Sequence, residues 1–185
     1  MSDFTFHSAD TAPEAARDTL QNCEQKLGFV PNLYAGLASA PPVLDAYIAL
    51  GAFFDKTSLT MTERQVVLLT TSVSNGCEFC VAAHSMIAKK MAGVQADVVD
   101  AIRAFDLPVD SKLAALATFT RAVVEENGWV ADHPAFQAFL DAGYTRAQAL
   151  EVVLGVAQKT LSNYTNHLMK PALNPAFADE EWSRG

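Results

Sequence analysis

Two thiols and an imidazole are concentrated in one short segment, Asn75-Gly76-Cys77-Glu78-Phe79-Cys80-Val81-Ala82-Ala83-His84. Cys80 follows Cys77 by three residues, and His84 follows Cys80 by four. On a helix turning about 100° per residue, Cys77 and His84 lie nearly one above the other, with Cys80 roughly 60° away. Cysteines at this spacing can close a disulfide at a helix start, and a neighbouring imidazole can take a proton from one of them. These are the components of thiol redox chemistry. A free thiol has a pKa of about 8.5, so little of it is thiolate at neutral pH. The unpaired N–H groups of a helix N-terminus favour the anion. The expected cycle has three steps. A thiolate attacks an O–O bond and becomes a sulfenic acid, the second cysteine condenses with it to a disulfide, and an external dithiol reduces that disulfide.

Three other readings compete. The cysteines could be structural. They could form a redox sensor without turnover. They could also join a metal site in which Cys77, Cys80 and His84 supply three ligands and His167 a fourth. The sequence distance to His167 weighs against that site, and we expect no metal and no cofactor.

These side chains need helices to position them, and the chain reads as all-α, with no sustained period-2 alternation. Thr11-Ala12-Pro13-Glu14 reads as a capping box opening a helix to about Leu27. Pro31 starts a short helix, and Pro41-Pro42 opens one reaching about Lys56. Thr60-Met61-Thr62-Glu63 is a second capping box, ahead of the apolar run Val66, Val67, Leu68, Leu69 and Val73. Asn75-Gly76 breaks that helix, and the cysteine helix follows to about Met91. Further helices are expected near 95–105, after caps at Asp110 and Asp132, and from Thr145 to about Lys170. An irregular tail is expected after Pro171.

The 185 residues suffice for one domain, spanning 1–185, with the cysteine core at about 60–94. Hydrophobic residues make up 50% and the net charge is −8. That charge speaks against nucleic acid and anionic membranes as partners. The segment Met1–His7 lacks an apolar leader and no run is long enough to span a bilayer, so a cytoplasmic location is expected. In such a compartment a close cysteine pair is catalytic, sensing or metal-binding rather than a scaffold. Lone Cys23 reads as a small buried hydrophobe. Long apolar stretches at 66–73 and 149–157 call for cover on most sides, which points to a homo-oligomer.

The segment Ser74–His84, behind a buried helix, resembles the carboxymuconolactone decarboxylase / alkyl hydroperoxidase D-like family over roughly Thr60 to Val94. Leu27-Gly28-Phe29-Val30-Pro31-Asn32 and Asn163-Tyr164-Thr165-Asn166-His167 resemble its peroxidase-related branch. The resemblance implies an alkyl hydroperoxidase D-like helical fold with the CxxC pair at the N-terminus of a central helix. It implies a homo-oligomer, a trimer or a trimer of dimers. It also implies a hydroperoxide substrate, reduced at the expense of an external dithiol or thioredoxin-like partner. Cys80 would then be peroxidatic, Cys77 resolving and His84 part of a proton relay. Two positions depart from the family pattern. The relay glutamate, twelve residues before the first cysteine, is Gln65 here, and the histidine between the cysteines is Phe79. Glu63 lies about 200° around the helix from Gln65 and could substitute only in a site built differently; its other role is the capping box with Thr60. True decarboxylases of the family generally lack the CxxC pair, which weighs against a decarboxylase-type acid/base enzyme.

Asn163, Asn166 and His167 share a helix face, with Tyr164 beside them. They are candidates to line a substrate pocket, the alternative being a polar helix end. Tyr34 and Tyr47 read as core or interface residues, and His7 and His133 as solvated.

Overall fold

The structure, a computed structural model, describes residues 3–184. Met1 and Ser2, the start of the segment read as lacking a leader, lie outside the described residues. Among the described residues there are nine α-helices and no strand. They are α1 (Glu14–Leu27), α2 (Asn32–Leu37), α3 (Pro41–Phe54), α4 (Met61–Ser74), α5 (Glu78–Met86), α6 (Ala96–Arg103), α7 (Ser111–Glu125), α8 (Pro134–Asp141) and α9 (Arg146–Met169).

The capping box expected at Thr60/Glu63 forms, the helix expected from Thr145 opens with a capping box to Gln148, and Asp110 caps α7 through the Leu113 amide. Two expected caps do not form. Thr11 turns back to the Ser8 amide, so α1 starts after Pro13 without a side-chain cap. At α8 it is His133, not Asp132, that accepts from the Ala135 amide, because Pro134 occupies the first helical position. The tail expected to be irregular is so at 171–174 and 181–184, but not between them. It forms a 3₁₀ turn over Pro175–Glu180.

Buried α4 is the axis of the fold, packing against α5, α6, α7 and α9. On one side lies an apolar core from α4, α6, α7, α8 and α9, including Val66, Leu69, Phe119 and Phe139. On the other, α1, α2, α3, α5 and the tail enclose Leu20, Leu44, Tyr47, Phe177 and both cysteines of the pair. Between these halves, α9 approaches closely because Gly155 carries no side chain. A Cβ there would come within 2.7 Å of Phe54 and 2.8 Å of Val67. The tail straps the cysteine helix down. Phe177 sets its ring edge-on to Phe79 and to Phe29, while Glu180 pairs with Lys89 and Arg103.

Candidate functional site

The turn between α4 and α5 sets the position of the first cysteine. Gly76 adopts φ +67°, the left-handed conformation that costs glycine little. Around it α4 ends in a Schellman motif, with the Gly76 amide on the Val73 carbonyl and the Cys77 amide on the Ser72 carbonyl. Cys77 thereby closes α4 and serves as the N-cap of α5. Cys80 falls three positions on, inside the first turn and next to the unpaired amides. Both thiols are reduced and buried, and the Cys77 thiol hydrogen-bonds to the Cys80 sulfur.

From the other side α9 presents a polar stripe. Lys159, Ser162, Asn163 and Asn166 are all buried. Asn166 Nδ2 donates to Cys80 Sγ at 3.2 Å and reaches Cys77 Sγ at 3.8 Å. Ser162 Oγ lies 3.8 Å from Cys80 Sγ. Asn163 accepts from Asn75 Nδ2 at 2.9 Å, tying α9 to the end of α4. Lys159, only 1% exposed, places Nζ 2.9 Å from His84 Nε2, and its charge acts on Cys80 beside it. An ammonium can only donate, so His84 Nε2 accepts and the ring proton resides on Nδ1. Nδ1 then donates to Gln65 Oε1 at 3.2 Å.

The electrostatics follow from these contacts. Burial by itself would raise the Cys80 pKa. The hydrogen bond from Cys77, the Lys159 charge and the bonds from Ser162 and Asn163 outweigh it and hold Cys80 well below the usual thiol range. Cys77 is pushed the other way by its bond to Cys80 and by burial, so it stays a thiol. Burial and the adjacent Lys159 charge hold His84 well below the ordinary imidazole pKa, and it stays neutral. Burial disfavours the Lys159 ammonium, but the Cys80 charge overcomes this and keeps it protonated. The buried polar groups thus form a thiolate–ammonium pair in low dielectric, where each charge needs the other.

Cys80, His84, Lys159 and Gln65 line a cavity of about 470 Å³. Its other walls are mostly apolar or aromatic, among them Tyr34, Tyr47, Phe79 and Leu68. Tyr34 and Tyr47 meet edge to face, with ring centroids 5.7 Å apart. An apolar chamber ending at a thiolate suits a small organic electrophile.

The candidates named from sequence divide clearly. Cys77, Cys80, His84, Gln65, Asn163 and Asn166 converge. None of the four pocket candidates Asn163, Tyr164, Asn166 and His167 lines the thiolate cavity; the two asparagines lie buried behind it, Tyr164 and His167 outside. The last two are exposed and stack on each other 6.3 Å apart. Glu63 is not brought to the sulfurs either. Its carboxylate accepts from the Thr60 amide at 2.8 Å and pairs with Lys112 at 3.3 Å, on the α7 side of α4. The helical offset from Gln65 accounts for this. Sequence reading missed Lys159, Ser162 and the cavity role of the two tyrosines. The signal for the first two was present: positions 159, 162, 163 and 166 form an i, i+3, i+4, i+7 polar stripe on α9. Among the described residues, no group of three or more His, Cys, Asp or Glu side chains is arranged to hold a metal ion.

Residues 41–123 match the model of the carboxymuconolactone decarboxylase family. No curated protein matches. Solved structures do. An uncharacterized peroxidase-related protein from Ralstonia eutropha JMP134, described as an alkylhydroperoxidase AhpD core, is 26% identical with a TM-score of 0.83, over 95% of this chain and 94% of that one. A peroxidase-related protein from Silicibacter sp. TM1040 is 16% identical, with a TM-score of 0.78 and coverage of 95% and 94%. A cysteine-to-alanine variant of the debrominase Bmp8, in complex with 2,3,4-tribromopyrrole, is 20% identical, with a TM-score of 0.80 and coverage of 97% and 96%. Residues 41–123 are thus similar to the carboxymuconolactone decarboxylase family, and the architecture around them is the alkyl hydroperoxidase D-like fold.

Proposed function

We propose that the protein is a thiol-dependent peroxidase that reduces organic hydroperoxides through the Cys77–Cys80 pair. One observation carries this reading: Cys80 lines a mostly apolar cavity, three residues from Cys77, with Asn166 Nδ2 3.2 Å and Ser162 Oγ 3.8 Å from its sulfur. Cys80 attacks the terminal peroxide oxygen and becomes a sulfenic acid. Cys77 displaces water from it to give the disulfide, and an external dithiol or thioredoxin-like partner restores both thiols. Gln65 occupies the family's glutamate position and orients His84 without offering a carboxylate base.

The test is consumption of tert-butyl hydroperoxide with dithiothreitol as reductant. The wild type is expected to turn over and Cys80→Ser to stop. A wild type that forms the disulfide once and shows no dithiol-dependent turnover would sink the reading in favour of a sensor.

A second reading uses the same sulfurs. The debrominase among the fold neighbours and the flat aromatic walls support thiolate attack on a halogenated ring. Release of bromide from a bromopyrrole in the presence of dithiothreitol separates the two.

The proposed setting is the cytosol, where thiol pools keep such a pair reduced; among the described residues, no helix is long and apolar enough to cross a membrane. A homo-oligomer, trimeric or hexameric, belongs to the same reading. Leu150, Val153, Tyr164 and Leu168 lie exposed along the outer face of α9, and light scattering on the purified protein tests it.

A further inference from the structure

We propose that Lys159 is a catalytic residue of the peroxide step, keeping the Cys80 site electrically neutral and passing its Nζ proton to the departing alkoxide, with His84 as its positioning residue. The inference rests on the peroxidase reading for its substrate and on the geometry of α9 for its chemistry.

The ammonium is buried between Cys80 and His84. The imidazole cannot be the resident base for Cys80, because Nε2 is taken by Lys159 and Nδ1 carries the proton given to Gln65. Cys77 is held as a thiol for the later resolving step, so Lys159 is the cationic donor beside the reacting sulfur. The groups facing it are few. Tyr47 from α3 presents its ring 5.9 Å from Nζ. From α5 come Cys77, Cys80 and His84, and from α4 the neutral Gln65. Tyr34 from α2 shares the cavity, and Lys26 and Asp55 complete its charged lining. Among the described residues no carboxylate hydrogen-bonds to Lys159, so the thiolate is its counter-ion.

A buried charge without its partner is costly, so the pair is expected to gain and lose charge together. The steps balance on that basis. The Cys80 thiolate forms an S–O bond to the terminal peroxide oxygen and the O–O bond breaks. Sulfur is oxidised by two electrons, and the alkoxide takes the Lys159 proton. Cys80 sulfenic acid and neutral Lys159 amine remain, so the net charge is unchanged. The Cys77 thiol then attacks the sulfenic sulfur, and water leaves with the hydroxyl and the thiol proton. The external dithiol delivers two electrons and two protons. One proton returns to Cys77 and one to Lys159, which recreates the ion pair.

The experiment follows alkylation of Cys80 by neutral iodoacetamide against pH, read by peptide mass spectrometry, in wild type, Lys159→Met, Lys159→Arg and His84→Gln. Circular dichroism confirms folding of each. Lys159→Met is expected to raise the midpoint by about 2 pH units or more, because the counter-charge is gone. Lys159→Arg should restore most of it, and His84→Gln should move it by less than about half a unit. Above the new midpoint, where Lys159→Met is fully thiolate, hydroperoxide turnover should still be lower by roughly 10²-fold for want of the proton donor. An unmoved midpoint in Lys159→Met, or an equal shift in His84→Gln, overturns the proposal. So does full turnover of Lys159→Met at high pH. If the midpoint shifts as expected but the wild type consumes no hydroperoxide, the ion pair stands and the peroxidase reading falls.

Discussion

Two helices of this protein begin with an N-cap side chain and a partner three positions on, built from different atoms. At α4, Thr60 stands at the N-cap and Glu63 three positions on reaches back to it. At α5, Cys77 stands at the N-cap and the sulfur of Cys80, three positions on, meets its thiol. Each second residue also has a lysine partner, Lys112 for Glu63 and Lys159 for Cys80. The difference lies in the element and the surroundings. Lys112 is half exposed, so its pairing with a carboxylate is screened and serves the helix start. Lys159 is buried, so its charge is little screened and acts on an atom that can be oxidised. One geometry therefore fixes structure at α4 and prepares reactivity at α5.

Substitutions can break this contrast. The largest effect is expected from Cys80→Ser, which should lower hydroperoxide turnover by roughly 10³-fold or more while the circular dichroism spectrum stays unchanged. Cys77→Ser should leave the first peroxide step intact but block the disulfide. Steady-state turnover is expected to fall by roughly 10²-fold, with a sulfenic acid trapped by dimedone. Cys23 provides an internal control. Burial raises its pKa to about 11, so at pH 8 iodoacetamide should label Cys80 faster by roughly tenfold or more. A faster Cys23 would mean that access, not charge, sets reactivity.

The smallest effect is expected at α4. Glu63→Gln should cost about 1 kcal/mol in chemical denaturation and leave turnover within about twofold. Its pH dependence has a definite sign. Burial alone would raise the Glu63 pKa, but the Thr60 bonds hold it below the ordinary carboxylate value. A depressed pKa stabilises the fold above the unfolded value of about 4.3, and that stability is lost as pH falls through the folded value. The gap between wild type and Glu63→Gln should therefore close in acid.

Much of the fold was legible because its signals are local. Caps at Thr60, Asp110 and Thr145 and breaks at Gly76 and Pro171 depend on neighbours within a turn. The cysteine segment was legible for the same reason, since three reactive groups fall within eight residues. What was hidden is what the chain brings from afar. Lys159 meets His84 across 75 positions, and the polar stripe that holds it does not by itself say which helix it faces. Glu63 drew attention for its chemical type, yet its helical phase sends it to Lys112. The tail read as irregular because its order comes from Phe177 and Glu180 docking on distant helices.

The bare Cα of Gly155 has a consequence beyond packing. Lys159 sits one turn further along the same face of α9, so the depth to which the whole helix sinks meters the reach of its side chain. One methyl at position 155 would have to displace Phe54 or Val67, or lift the helix. Lifting it would draw the ammonium away from the imidazole and the sulfur together. The reactivity of the thiolate is thus gauged by a missing methyl that touches neither.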